Sequence, residues 1–154
     1  MPIVIDQRLV VSAPCEIVWE TITDFGSYAE WNPFVVSCRS TLEVGSTIEM
    51  RVKVFDSFAQ PQRERVFEHE PGRSFCYGVP SLPLGALRSR RSHSVEPTTN
   101  GHTVYNSHFE LFGWLAPVVQ ALFGTRLDRG FDSMSQAIRA RAEALERRRS
   151  QAPR

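Results

Sequence analysis

The sequence predicts an α+β domain in which a curved antiparallel sheet packs against one long C-terminal helix. Residues 47–54 alternate polar and apolar side chains over eight positions, the pattern of a strand with one buried face. Turn residues then recur at intervals of about ten residues as far as Gly113, as in antiparallel sheets. From Leu115 to about residue 147, apolar residues recur every three or four positions, which predicts a helix that must cover the sheet.

The N-terminal part is predicted to form one strand and two helices. Ile3–Val11 has the composition of a strand, and Pro14 suits the first turn of a helix that ends near Gly26. A second, short helix is predicted over residues 27–31, before the Asn32-Pro33 turn.

The rest of the chain is predicted to supply the remaining strands and the covering helix. Further strands are predicted from Phe34 onward and over residues 64–70, 73–79, 87–96 and 102–112. Two glycines in the long helix, Gly124 and Gly130, predict a break or bend near Gly124. Phe131, Met134 and Ile138 are predicted to be buried against the sheet.

Composition narrows the class of protein. The 154 residues suit one domain, and 42% hydrophobic with 23% charged residues is typical of a soluble globular chain. A net charge of +1 gives no basis for nucleic-acid binding, and no apolar stretch is long enough for integral membrane association. The three cysteines and the absence of a secretory signal predict a cytoplasmic protein. We expect one domain over residues 1–147 and a disordered basic tail over 148–154.

Motifs for catalysis are weak. The four histidines lack metal-ligand spacing, and there is no phosphate-binding glycine loop or dinucleotide fingerprint. Ser107 and His93 on adjacent strands imitate a nucleophile and its base, but no acid is placed to orient the histidine. The sequence therefore predicts no catalytic residue, no metal and no cofactor.

A set of short motifs near the N-terminus carries a family resemblance. The motifs are Ser12-Ala13-Pro14, Trp19, Asp24-Phe25 and Trp31-Asn32-Pro33-Phe34, followed by Glu70-Pro71-Gly72, Glu96-Pro97 and Gly113. Their order and spacing resemble the START-like (SRPBCC) superfamily, in particular its polyketide cyclase/dehydrase and lipid-transport branch. The resemblance covers nearly the whole chain. It implies the helix-grip fold, in which the sheet and the C-terminal helix enclose a ligand cavity.

The candidate ligand-binding residues follow from the inward faces of the strands and helix. Trp31 is placed by the resemblance at the cavity rim. The apolar and aromatic candidates are Met50, Val52, Phe75, Tyr77, Tyr105, Phe109, Phe131 and Met134, and the polar candidates are Arg91, His93 and Ser107. The pattern alone fits a filled core equally well.

Two polar candidates have alternative interpretations. His93 is either a hydrogen-bonded core histidine or a cavity residue. Arg91 either faces inward, where it needs a carboxylate or an anionic ligand, or lies in water on an irregular edge strand.

The function hypotheses fall into three classes. The first is binding of a hydrophobic small molecule such as a lipid, an isoprenoid or an aromatic polyketide, for transport or sequestration, by a monomer or homodimer. The second is a polyketide aromatase/cyclase that acts within the cavity. The third is a protein-interaction module with a vestigial cavity.

Overall fold

A computed structural model describes residues 2–153 as a curled seven-stranded antiparallel sheet with a long helix across its concave face. In chain order the elements are β1 (Ile3–Val11), α1 (Cys15–Thr23), α2 (Tyr28–Trp31), β2 (Val35–Arg39), β3 (Thr47–Phe55), β4 (Phe58–Glu70), β5 (Ser74–Gly78), β6 (Arg88–Pro97), β7 (Thr103–Phe112) and α3 (Ala116–Gln151). The strand order is β1-β7-β6-β5-β4-β3-β2. The predicted α+β helix-grip architecture is confirmed.

Side-chain alternation decides which residues face the helix. On β3, Ile48, Met50 and Val52 are buried while their neighbours are more exposed, as the period of two requires. In the register of the sheet, Arg91 on β6 pairs with Tyr77 on β5 and with Phe109 on β7. Arg91 therefore faces inward with these aromatic side chains.

The chain between β1 and β2 folds largely as predicted. Pro14 lies at the N-cap of α1, directly before its first residue, and its carbonyl oxygen accepts hydrogen bonds from the N–H groups of Ile17 and Val18. The helix ends at Thr23, before the predicted end at Gly26, and a short 3₁₀ turn leads into α2. After α2, Asn32 Oδ1 accepts hydrogen bonds from two backbone N–H groups, which turns the chain into β2.

The prediction of a break near Gly124 is wrong, because α3 continues through both glycines to Gln151. Gly130 serves packing instead: a Cβ atom there would lie 2.2 Å from Cε1 of Phe34. The missing side chain thus lets α3 approach the start of β2 closely.

The helix also extends beyond its predicted end near residue 147, so the predicted boundary between domain and tail lies inside α3. Arg148 and Arg149 occupy its last turn, where positive charge interacts favourably with the helix dipole.

Burial on α3 follows the predicted face. Phe131, Met134 and Ile138 are buried, as the periodicity predicts.

None of the helices within residues 2–153 combines the length and the apolar composition that a membrane-spanning helix requires.

Candidate ligand-binding cavity

A cavity of about 290 Å³ lies between the concave face of the sheet and α3. Its walls come from β2 to β7, from the segments that follow β5 and precede β6, and from one side of α3. The lining residues are Phe34, Val35, Met50, Val52, Val54, Gln62, Arg63, Glu64, Tyr77, Val79, Leu87, Ser89, Arg91, Phe109, Leu111, Val119, Leu127 and Phe131. The lining is mostly apolar with a few polar groups, as in small-molecule sites.

The cavity wall is partly exposed to solvent. Val79, Leu87 and Val119 are half-buried, whereas Val35 and Met50 are buried. The lining is therefore partly exposed where the loop of residues 79–87 lies beside the N-terminal half of α3, an edge that we call the cavity mouth, and it is also exposed at Arg63 on β4.

Arg91 places a charged group on the cavity wall. The residue is 5% exposed, and its guanidinium lies over the ring of Phe131 at 4.1 Å from the centroid. Nη1 donates a hydrogen bond to Ser107 Oγ at 2.8 Å, and Nη2 approaches the weak acceptor Met134 Sδ at 3.6 Å. No carboxylate within residues 2–153 lies at ion-pairing distance from Arg91.

Glu64 on β4 supplies a second ionisable group to the same cavity. Burial raises the pKa of its carboxyl to about 7, although the positive charge of Arg91 acts in the opposite direction. The carboxyl group is therefore distributed between its neutral and charged forms near neutral pH. It can act both as a donor and as an acceptor of a proton.

Behind the cavity wall, His93 joins two tyrosines through hydrogen bonds. Its Nδ1 lies 2.6 Å from the Tyr105 hydroxyl, and its Nε2 lies 3.4 Å from the Tyr77 hydroxyl. Burial, assisted by the charge of Arg91, holds the pKa of His93 well below its usual value, so the ring is neutral. A neutral imidazole has one donor and one acceptor, which matches two hydroxyl partners.

A family model for polyketide cyclase / dehydrase and lipid transport matches residues 2–141 of the sequence. The chain belongs to this family. The match covers every strand and α3 as far as residue 141, so the elements that enclose the cavity are elements of the family.

Solved structures show that the fold is shared with proteins of low sequence identity. A START superfamily protein from Mycobacterium smegmatis is 17% identical and aligns over 92% of this chain and 98% of its own, with a TM-score of 0.68. The Zhui aromatase/cyclase from Streptomyces sp. R1128 is 15% identical, with 99% and 98% coverage and a TM-score of 0.69. A norcoclaurine synthase point mutant from Thalictrum flavum is 16% identical, with 96% and 97% coverage and a TM-score of 0.69. No curated protein sequence matches significantly.

Half of the sequence-predicted site residues lie on the wall of the cavity described above. The predicted residues on its wall are Met50, Val52, Tyr77, Arg91, Phe109 and Phe131. Phe75, His93, Tyr105, Ser107 and Met134 are buried in the packed layer beside it. Trp31 lies apart from the wall and packs against Tyr28, with ring centroids 5.1 Å apart.

Gln62 was not among the predicted site residues, because the predicted strand began at residue 64. Glu64 lies in the predicted strand but was not considered as a site residue. The structure extends β4 back to Phe58, and Met50 on β3 pairs with Gln62. Extending the alternation from the buried Val66 back by two and four positions identifies both residues. No cluster of metal-ligating side chains is found in the part of the chain that the structure describes.

Proposed function

We propose that this protein binds one hydrophobic small molecule with an acidic group in the cavity under α3, for transport or sequestration. The observation that carries the proposal is Arg91, a buried guanidinium without a carboxylate partner on an apolar wall. A buried charge is costly unless it is paired. An anionic group of a ligand supplies the missing partner and gains a charge-assisted hydrogen bond.

The apolar surroundings of Arg91 suit the rest of such a ligand. Met50, Val52, Phe109 and Phe131 offer an adaptable thioether, a branched aliphatic chain and two aromatic rings. Phe109 and Phe131 meet at a tilt with centroids 4.9 Å apart, and the guanidinium of Arg91 lies over the Phe131 ring. Lipids, isoprenoids and aromatic polyketides are the ligand types that we expect.

Native mass spectrometry of the purified protein tests this proposal. We expect a co-purified or added hydrophobic acid to stay bound to the wild type and to be lost from Arg91→Met. Arg90→Met is the matched control, because Arg90 lies on the same strand but on the outer face, where it pairs with Glu68 at 2.9 Å. Equal retention by all three proteins, or binding of neutral compounds only, would contradict the proposal.

An aromatase/cyclase is the second candidate function, and the position of Glu64 favours it. The Zhui protein with the same fold is an aromatase/cyclase. In this chain, Glu64 and Arg91 line one cavity. The carboxylate of Glu64 would take a proton from a methylene between two ketones, and Arg91 would stabilise the enolate oxygen. The enolate carbon would then attack another carbonyl and so close the ring, and the Glu64 carboxylic acid would return its proton to the resulting alkoxide. Loss of this hydroxyl with a hydrogen of the adjacent carbon, as one water, would form a double bond in the ring.

Deuterium exchange of a diketone separates the two candidate functions. The methylene protons of benzoylacetone exchange in D₂O through the same enolate, and NMR follows their loss. If the protein is a cyclase, the wild type accelerates exchange and Glu64→Gln does not. Binding without acceleration supports transport or sequestration.

The remaining expectations concern the role of the cavity, the cellular location and the partners of the protein. A cavity of about 290 Å³ supports ligand binding over a module with a vestigial cavity. The cysteines Cys15, Cys38 and Cys76 are free thiols, which supports a cytoplasmic location. We expect a monomer or homodimer without nucleic-acid partners.

A further inference from the structure

Large apolar side chains are exposed together beside the cavity mouth. They lie in the loop of residues 79–87, in the turn that precedes α3 and on the first turns of α3, and we call them the rim patch. Its members are Leu82, Leu84, Trp114, Val118 and Leu122. Leu84 is 94% exposed and Leu122 is 65% exposed, so these side chains contribute little to the core. A contiguous exposed apolar surface of this kind marks an interaction site.

The rim patch is held in place by hydrogen bonds between its two segments. The Leu115 N–H donates to the Ala86 carbonyl oxygen at 3.0 Å, and Trp114 Nε1 donates to the Leu84 carbonyl oxygen at 3.3 Å. Gly113, with φ of 113°, approaches so closely that a Cβ would lie 2.4 Å from the Ala86 oxygen. Leu84 itself has φ of 60°, a conformation that leucine rarely adopts. The loop is thus fixed with its apolar tip directed outward.

The charges around the rim patch have one dominant sign. Residues 79–95 and 111–127 contain no Asp or Glu. The exposed Arg88 follows the loop. On α3, Arg126 follows Leu122 by four residues, as Leu122 follows Val118, so the three lie along one side of the helix. An adjoining hollow is lined by three basic residues and one acidic residue, namely Lys53, Arg126, Arg129 and Asp56.

We propose that the rim patch docks the protein onto the surface of an anionic lipid bilayer, with Leu84 and the exposed face of α3 entering the headgroup region. A bilayer accepts projecting apolar side chains without a complementary pocket, and its negative surface attracts the arginines. A second copy of the chain fits less well, because a twofold interface would place the same arginines opposite each other without carboxylates. The patch also borders the cavity through Val119 and Leu87, so docking places the mouth against the lipid.

Vesicle co-sedimentation without added ligand tests the docking and does not depend on the proposed function. We expect the wild type to sediment with vesicles of phosphatidylcholine and phosphatidylglycerol, and less with phosphatidylcholine alone or at high salt. Leu84→Ser and Leu122→Ser should each partition about tenfold more weakly, the factor that follows from losing one large buried aliphatic side chain.

The matched control is Val44→Ser, because Val44 is 66% exposed but lies in the β2–β3 loop, outside the rim patch. It should bind vesicles like the wild type. Unchanged melting temperatures would show that all variants are folded. The proposal is overturned if the wild type does not sediment, or if Val44→Ser loses as much binding as Leu84→Ser. It is also overturned if sedimentation velocity shows that Leu84→Ser dissociates a dimer while vesicle binding stays unchanged.

Discussion

The two ends of the concave face are built from the same strands but are filled differently. At the packed end, Trp19 of α1 packs against Phe75, Tyr105 is fully buried, and the ring nitrogens of His93 have hydrogen-bond partners. At the open end, Arg91 and Glu64 face a cavity without an ion pair between them. The difference shows that alternation alone decides which residues face inward, while the element lying above them decides whether space remains.

Truncation of an aromatic ring at each end gives the largest expected contrast. Phe75 is 1% exposed and contacts Trp19, Phe25, Tyr77 and His93 through its ring, so Phe75→Ala should cost about 3–5 kcal/mol. Phe109 is half-buried beside existing space, and Phe109→Ala should cost about 1–2 kcal/mol while weakening ligand binding. Urea denaturation measures both losses. Equal losses would mean that the two ends are packed alike.

Trp31 is expected to contribute to the stability of the fold but not to ligand binding. Its ring is half-buried against Tyr28, and Nε1 donates a hydrogen bond to Ser27 Oγ at 3.3 Å. Trp31→Ala should therefore lower the free energy of unfolding by about 2 kcal/mol and leave the affinity for a cavity ligand unchanged. A loss of affinity larger than the loss of stability would assign Trp31 to the cavity entrance, as the family resemblance implies.

The pKa of Glu64 predicts a pH dependence of stability at the open end. The pKa is about 7 in the folded protein and about 4.3 in an unfolded chain, so the folded state holds the proton more tightly. The free energy of unfolding should then fall as pH rises from about 4 to 7, by about 1–2 kcal/mol for this half-buried group. Glu64→Gln should remove that part of the fall.

His93 predicts the opposite slope at the packed end. Its folded-state pKa lies well below 6.5, so the unfolded chain takes up a proton first as the pH falls. The stability that depends on a neutral His93 is therefore present above pH 6.5 and is lost below it. His93→Gln should reduce this loss of stability at acidic pH, and His102→Gln is the histidine control outside the network. If His93→Gln loses as much stability below pH 6.5 as the wild type, the titration of His93 is excluded as the cause.

The sequence carried most of the information about the fold. One buried face follows from the eight-residue alternation at 47–54, and another follows from the periodicity of α3. The two apolar faces bury each other when the helix packs across the sheet. The predicted break near Gly124 was wrong because a glycine weakens a helix without having to end it. Gly130 is used for contact with Phe34, and such a tertiary contact has no local signal.

The candidate site was predicted less completely. Inward-facing residues such as Arg91 and Phe109 were found on recognised strands, whereas Glu64 was overlooked although its strand was recognised. Whether each one meets space or another side chain depends on where α1 and α3 lie across the sheet. Phe75 and Tyr105 were therefore indistinguishable from Phe109 by pattern, and Gln62 was lost with the unrecognised start of β4.

The most direct test of the central claim is a calorimetric titration with 2-naphthoate and 2-naphthamide, which have nearly equal size but differ in charge. If Arg91 is an unpaired charge that awaits an anion, the wild type should prefer the carboxylate by about tenfold or more, as expected for a charge-assisted hydrogen bond. Arg91→Met should abolish the preference, whereas Arg90→Met should retain it. Equal affinity of the wild type for both compounds, or a preference that survives in Arg91→Met, would contradict the account.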